Sequence, residues 1–364
     1  MPDDTDALLD AITALMPPVL TGLETLSYIG RHMHPPNLRS LVDAVQGTDE
    51  AVKQGLEQFR RAEWPAHLER FAEHVDKAAQ EVCSAFEGLE QAVDDPNGMM
   101  QAYRSMRHNT RAVEALYPIA SMLPPVSRFF LEPGYRDDQA LLKKLAEADA
   151  SRENVGIMHA NNEKGTRGGF SMYVPEYYDE SESYPLIMAM HGGSGHGADF
   201  LWTWITAARS RGAIVISPTA KGDTWSLMGP DIDSPNLDAM VEHVAKRWSV
   251  NRDKLLLTGM SDGGTFSYCS GLRAESPFTH LAPSSASFHP LLLDGLSKER
   301  LQGLPIYLIH GVLDWMFPVD IARTANAALT AAGAAVVYRE IEDLSHTYPR
   351  DENPRIMDWL LRDG

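Results

Sequence analysis

Residues 255–264 read Leu255-Leu256-Leu257-Thr258-Gly259-Met260-Ser261-Asp262-Gly263-Gly264. A run of large aliphatic side chains stops at small residues and leads into a helical pattern, as expected for a buried strand that turns sharply into a helix. Within it, Gly259 to Gly263 form a G-x-S-x-G pattern, the nucleophile-elbow arrangement. Such a turn forces its serine into an unfavourable backbone conformation, and glycines are needed where a Cβ would collide with the neighbouring strand and helix. Ser261 Oγ is then expected to point out of the sheet. A chain this long shows the pattern by chance roughly one time in eight, so its weight depends on what surrounds it.

Around this stretch, short strand-like runs alternate with helical patterns. Runs 156–160 and 170–174, joined by a loop with Gly165, Gly168 and Gly169, read as a hairpin. Apolar strand-like runs follow at 185–190, 213–217, 254–258, 280–286, 306–310 and 335–340, most of them reading as buried on both faces. Between them lies a helix with Ser234 as N-cap, Pro235 in its first turn and Leu237, Met240, Val241, Val244 and Trp248 on one face. Further helices are expected over 319–332 and 355–361. This alternation demands right-handed crossovers, so residues 155–364 are expected to form a doubly wound α/β domain with a mostly parallel sheet.

The N-terminal part has a different period. Trp64, Leu68, Phe71, Val75, Ala78, Val82, Phe86, Leu89 and Val93 step by three or four, predicting one long amphipathic helix that starts at Pro65 and ends before the breaker cluster at 94–98. Shorter helical patterns cover 6–16, 38–45, 51–59 and 99–122, so residues 1–130 read as an all-helical bundle whose apolar stripes form its own core. Residues 131–154, with Pro133-Gly134 and a short charged helix over 141–148, read as a connector.

Composition narrows the function classes. The 364 residues are 44% apolar and 23% charged, as in folded globular proteins. Lys and Arg total 32 against 50 Asp and Glu, and the net charge of -18 repels phosphate backbones and anionic lipid surfaces, so neither nucleic acid nor membrane is expected as a partner. Cys83 and Cys269 lie far apart and suggest reduced thiols rather than a disulfide framework or metal cluster. The first residues lack the basic region of a signal peptide, and no uninterrupted apolar run of about 18 residues occurs. A cytoplasmic location is the expectation.

The segment His191-Gly192-Gly193-Ser194-Gly195 follows the strand-like run 186–190 and precedes the elbow in chain order, where a second oxyanion donor belongs. Side-chain-free positions let backbone N–H groups approach a developing oxyanion, and the amides of Gly193 and Asp262 are the candidates. A serine hydroxyl also needs a histidine base held by a carboxylate. Run 306–310 ends in Gly311-Val312-Leu313-Asp314, which puts Asp314 at the carboxyl edge of the sheet as the acid; Asp320, a rival, falls in the first turn of the next helix. The final run leads to Ser345-His346-Thr347, and His346 is the candidate base. His310 lies inside a strand, His191 in the oxyanion turn, and His280 and His289 before the acid.

The motifs HGGSG (191–195), GMSDGG (259–264), HGVLDWMFP (310–318) and DLSHTYP (343–349) resemble those of α/β-hydrolase serine esterases, in particular the bacterial phospholipase/carboxylesterase and polyhydroxyalkanoate-depolymerase-like group. The resemblance covers 155–364 and implies an α/β-hydrolase fold, hydrolysis of carboxylic esters through an acyl-enzyme, Ser261 as nucleophile, Asp314 as acid, His346 as base, and Gly193 with Asp262 as oxyanion donors. The helical N-terminal region lies outside it. A small-molecule ester is the substrate class implied, with no cofactor and no metal.

Trp225, Trp315 and Met316 are candidates for lining an acyl or alcohol pocket, with Phe317 beside them. Ser261 and Asp314 are 53 positions apart, too few for a large lid domain, so the site is expected to be open to a small or extended ester. Two other readings compete. Gly193-Ser194-Gly195-His196-Gly197-Ala198 satisfies a dinucleotide-binding G-x-G-x-x-G/A, but the following strand ends Ile216-Ser217-Pro218 without the acidic residue that motif requires. Alternatively, the chain is a non-catalytic hydrolase-like scaffold that binds a partner through the N-terminal helices. Under either reading those helices are also candidates for a homo-oligomer contact. His32-Met33-His34 precedes Pro35-Pro36 and has no nearby thiolate or carboxylate to complete a metal set.

Overall fold

The computed structural model describes residues 2–149 and 151–362. The chain divides into two compact units, Met1–Phe130 and Leu131–Gly364.

The first unit is helical, with α1 (Pro2–His32), α2 (Leu38–Asp43), α3 (Thr48–Arg61), α4 (Glu69–Val93), α5 (Gly98–Leu116) and α6 (Pro124–Phe129). The long amphipathic helix is α4, which begins later than its apolar spacing suggests. Pro65 is extended, a short 3-10 turn follows it, and Trp64 stands off the helix between the rings of Phe59 and Phe71. The helix expected over 6–16 runs on through Pro17-Pro18 to His32. Pro18 leaves the Ala14 carbonyl without its helical donor. That carbonyl lies against α3 at Gly55, where a Cβ would stand only 2.7 Å from its oxygen. From Asp6 to His32, α1 is long and apolar enough to cross a membrane by length and composition, the one such helix among the described residues. Its Leu15, Val19, Leu23, Leu26 and Ile29 are fully buried in the bundle, which α3, α4 and α5 complete.

The second unit starts before the expected α/β domain. Residues 131–154, expected as a connector, belong to it: α7 (Gln139–Glu147) is capped by the Asp138 side chain, and buried Glu132 takes a bidentate ion pair from Arg211, with Nε–Oε1 and Nη2–Oε2 both 2.8 Å.

Eight strands make one sheet in the order β1-β2-β4-β3-β5-β6-β7-β8. They are β1 (Gly156–Ala160), β2 (Phe170–Val174), β3 (Tyr184–Met190), β4 (Ile214–Pro218), β5 (Val250–Met260), β6 (His280–Ser284), β7 (Pro305–Gly311) and β8 (Ala335–Ile341). β2 is antiparallel to β1 and β4, and all other pairings are parallel. β3 and β4 are buried along their whole length, whereas the edge strand β8 is at most half-buried. β5 begins four residues earlier than expected because Asn251, Arg252 and Asp253 extend the strand beyond the covered part of the sheet. The crossovers carry α8 (Gly197–Phe200), α9 (Ile205–Arg211), α10 (Ser234–Ala245), α11 (Asp262–Gly271), α12 (Lys298–Leu301) and α13 (Val319–Ala331), with α14 (Asn353–Leu361) after the last strand. This strand order with these crossovers is the α/β-hydrolase fold, a doubly wound, mostly parallel sheet, here preceded by a helical unit.

Gly55→Val should test the α1–α3 contact. The added side chain must displace the α1 backbone, and chemical denaturation is expected to show a loss of about 1–3 kcal/mol. Unchanged stability would mean that the two helices do not touch at Ala14.

Candidate active site

Ser261 sits at the junction of β5 and α11 with φ 57° and ψ -119°, a left-handed conformation that costs an L-residue strain. The crowding that imposes it is backbone against backbone. A Cβ on Gly259 would stand 2.6 Å from the Gly263 carbonyl carbon, and one on Gly263 would stand 2.5 Å from the carbonyl oxygens of both Met190 and His191. Both positions therefore require glycine. The Ser261 N–H donates to the Ser284 carbonyl of β6 at 3.0 Å, tying the elbow to the next strand.

The three triad candidates come together. His346 Nε2 lies 3.1 Å from Ser261 Oγ, and its Nδ1 lies 2.9 and 3.0 Å from the two Asp314 oxygens. A carboxylate only accepts, so the His346 proton is on Nδ1 and the Nε2 lone pair faces the hydroxyl. All three side chains are buried, Ser261 just reaching the surface at 9% exposure.

The loops that carry Asp314 and His346 are zipped together. Val312 N–H donates to the Ile341 carbonyl at 2.9 Å and Leu313 N–H to the Leu344 carbonyl at 3.0 Å. At Gly311 the two chains touch, with a Cβ there only 2.0 Å from the Leu344 oxygen. Asp314 Oδ1 also accepts from the N–H groups of Met316 and Phe317, at 3.0 and 2.8 Å. Burial pushes the Asp314 carboxyl up, but the hydrogen bonds from His346 and Phe317 and the nearby imidazoles outweigh it and hold the group below the usual carboxylate range. The rival Asp320 is in the first turn of α13 and pairs with Arg323 at 2.9 Å.

The oxyanion candidates also meet. A Cβ on Gly192 would stand 3.4 Å from Ser261 Cβ, and one on Gly193 would stand 2.8 Å from Asp262 Oδ2, so the glycine turn lies directly against the elbow. Asp262 Oδ2 also accepts from Thr224 Oγ1 at 2.5 Å.

Three further residues hold this turn. Buried His191 accepts from the Ala220 N–H on Nε2 at 3.1 Å, which leaves Nδ1 to donate to the Gly192 carbonyl at 2.6 Å. Arg167 donates to the carbonyls of Gly195, at 2.9 Å, and Gly222, at 2.8 Å. Asp233 gathers the N–H groups of Lys221 and Ser226, each at 2.9 Å, and fixes the loop that packs beside the turn. His191 precedes two glycines and could have been found from that position. Arg167 and Asp233 lie in polar loops without a pattern.

The pocket candidates separate. Trp225 is 3% exposed, stacks on Phe266 with ring centroids 5.5 Å apart, and donates Nε1–H to the His191 carbonyl at 2.8 Å. It is a core residue that braces the glycine turn, which corrects the expectation that it lines a pocket: its loop folds inward because the indole supplies both apolar area and a donor for a buried carbonyl. Trp315 and Met316 remain 44% and 48% exposed on the turn that carries Asp314, and Leu313 beside them is also exposed.

The strand order and crossovers, with an elbow serine, a strand-end aspartate and a loop histidine in that chain order, have the arrangement of the α/β-hydrolase fold. Two curated proteins to which the chain is similar carry esterase names. The chain is 25% identical over 158 residues to "Probable feruloyl esterase C" of Aspergillus terreus, covering 42% of this chain and 56% of that protein. It is 25% identical over 157 residues to the "Bifunctional acetylxylan esterase/xylanase XynS20E" of Neocallimastix patriciarum, covering 42% of this chain and 22% of that protein. The alignments thus span about half of the first relative and a fifth of the second. Among solved structures, a thermostable esterase superposes with a TM-score of 0.47 at 18% identity, over 56% of this chain and 61% of its own. No family model matches the chain.

The His191 geometry predicts a pH effect on stability. Burial holds this imidazole down to about 4, the Gly192 hydrogen bond opposing, whereas in the unfolded chain it titrates near 6.5. Its contribution is fully present above pH 6.5 and is lost as pH falls toward 4, on the order of 3 kcal/mol in all. Urea unfolding at pH 7 and pH 4.5 should show a larger loss for the native protein than for His191→Asn; equal losses would contradict the assignment.

Proposed function

We propose that the second unit is a serine hydrolase that cleaves carboxylic esters through a covalent acyl-enzyme. The observation that carries this reading is the single imidazole bridging hydroxyl and carboxylate, with His346 3.1 Å from Ser261 and 2.9 Å from Asp314. The strained elbow, the glycine turn against it and the esterase relatives support it.

Ser261 Oγ attacks the ester carbonyl carbon while His346 Nε2 takes its proton, and the new imidazolium is stabilised by Asp314. The negative charge on the former carbonyl oxygen is met by the amides of Gly193 and Asp262. Collapse of this tetrahedral species breaks the ester C–O bond, and His346 returns the proton to the leaving alcohol. Water then attacks the acyl-enzyme, again giving its proton to His346, and the acid departs as Ser261 regains its hydrogen. The chain supplies the nucleophile, the base, the acid and the oxyanion donors for these steps, and the other reactants are the ester and water.

A small or extended ester suits the short span between nucleophile and acid. The exposed Trp315 and Met316, on the turn that carries Asp314, offer an apolar surface for an acyl or alcohol group, and an aromatic acyl group, as in the name of the Aspergillus terreus relative, suits such a surface.

Purified protein should hydrolyse p-nitrophenyl or hydroxycinnamoyl esters. Ser261→Ala and His346→Ala are expected to lower kcat by about 10⁴- to 10⁶-fold, and Asp314→Asn by about 10⁴-fold, with each variant still folded. Turnover that survives Ser261→Ala would rule out this mechanism. No turnover of any ester by the native protein would favour the scaffold reading.

A further inference from the structure

His310, the penultimate residue of β7, has a fully buried side chain beside the triad. Its Nε2 lies 2.9 Å from the Phe317 carbonyl oxygen and 3.6 Å from Asp314 Oδ2. A carbonyl only accepts, so the proton is on Nε2. Nδ1 has no hydrogen-bond partner among the described residues. Phe317 connects this ring to the site three ways. Its carbonyl takes the His310 proton, its N–H donates to Asp314 at 2.8 Å, and its ring meets the His346 imidazole edge-on with centroids 5.4 Å apart.

An apolar side chain would fill this position without burying a polar nitrogen that finds no partner. What an apolar side chain cannot supply is the Nε2–H that fastens the turn 314–317 to the sheet. The charged and titratable groups around the ring are Asp314 on the same loop, His346 from the loop after β8, and Glu340, which pairs with His310 across β7 and β8 and is itself bound by Arg323 at 2.6 Å. Burial lowers the His310 titration despite the Phe317 hydrogen bond and the two carboxylates, so the ring stays neutral at neutral pH. A cation there would compete with His346 for the charge of Asp314.

We propose that His310 is a positioning residue for ester hydrolysis: a neutral imidazole protonated on Nε2, it clamps the Phe317 carbonyl and thereby keeps the Asp314 carboxylate aligned with His346 Nδ1. The proposal rests on the triad reading of the preceding section.

The test compares His310→Gln, whose amide nitrogen reaches the place of Nε2, with His310→Asn, whose nitrogen matches Nδ1, and with His310→Leu. His310→Gln should stay within about threefold of the native kcat, and the other two should fall about 10- to 100-fold with KM nearly unchanged, the cost of a misplaced catalytic group. The downfield proton NMR signal of His346 Nδ1–H should move in His310→Asn and His310→Leu and return in His310→Gln. The acidic limb of the pH–rate profile should shift to lower pH in the two impaired variants, because a misaligned Asp314 stabilises the His346 imidazolium less. Equal rates in all variants, or an equal fall in all three, would overturn the proposal, as would an unmoved NMR signal. Should the Asn or Leu variant fail to fold, His310→Gln decides alone, and a loss above tenfold in it overturns the clamp. Fluorophosphonate labelling of the native protein separates the two readings. Without labelling the triad reading falls, whereas normal labelling with indistinguishable variants removes only the role of His310.

Discussion

The constraint on which the site depends is the crowding of backbone around Ser261. The ends of β3, β5 and β6 converge there, and the elbow passes so close to the Met190 and His191 carbonyls that only glycine fits at position 263. Packing of the sheet against α11 holds the serine at φ 57° and offsets the local strain. Because Ser261 N–H is bound to the Ser284 carbonyl, this serine cannot relax without breaking a link between two central strands. Its position is a property of the sheet rather than of a flexible loop.

Asp314 and His346 depend on a second close approach, that of Gly311 to the Leu344 carbonyl, which brings the loops after β7 and β8 into register. From there, Asp314 is held by two backbone N–H groups and the imidazole, a set of donors that favours its charged form. The glycine turn at 192–195 is braced in a comparable way, by a buried histidine, an arginine that grips two carbonyls and an indole N–H. Many of the bonds that keep Ser261, Asp314 and His346 in place come from neighbours outside this trio.

The sheet was legible in the sequence because its central strands are buried on both faces and therefore read as unbroken apolar runs. The meeting of Ser261, Asp314 and His346 was legible because in this topology each candidate follows a strand end, and glycines mark the turns. Other features required three-dimensional neighbours. Pro17-Pro18 resembles a helix end, yet α1 continues because packing against Gly55 of α3 outweighs the two lost hydrogen bonds. Trp225 has the composition of a pocket residue, and only the position of the His191 carbonyl shows that its indole is a brace. The roles of His191 and His310 depend on Ala220 and Phe317, groups that the chain brings back from a loop, and no spacing rule encodes which ring nitrogen carries the proton.

The central claim is that one imidazole activates one serine. Incubation of the native protein with a fluorophosphonate, followed by digestion and mass spectrometry, tests it most directly. The account predicts an adduct on the peptide that contains Ser261, at one site per chain, and loss of that adduct in His346→Ala. An adduct on another residue, or labelling of Ser261 at the native rate without His346, would contradict it.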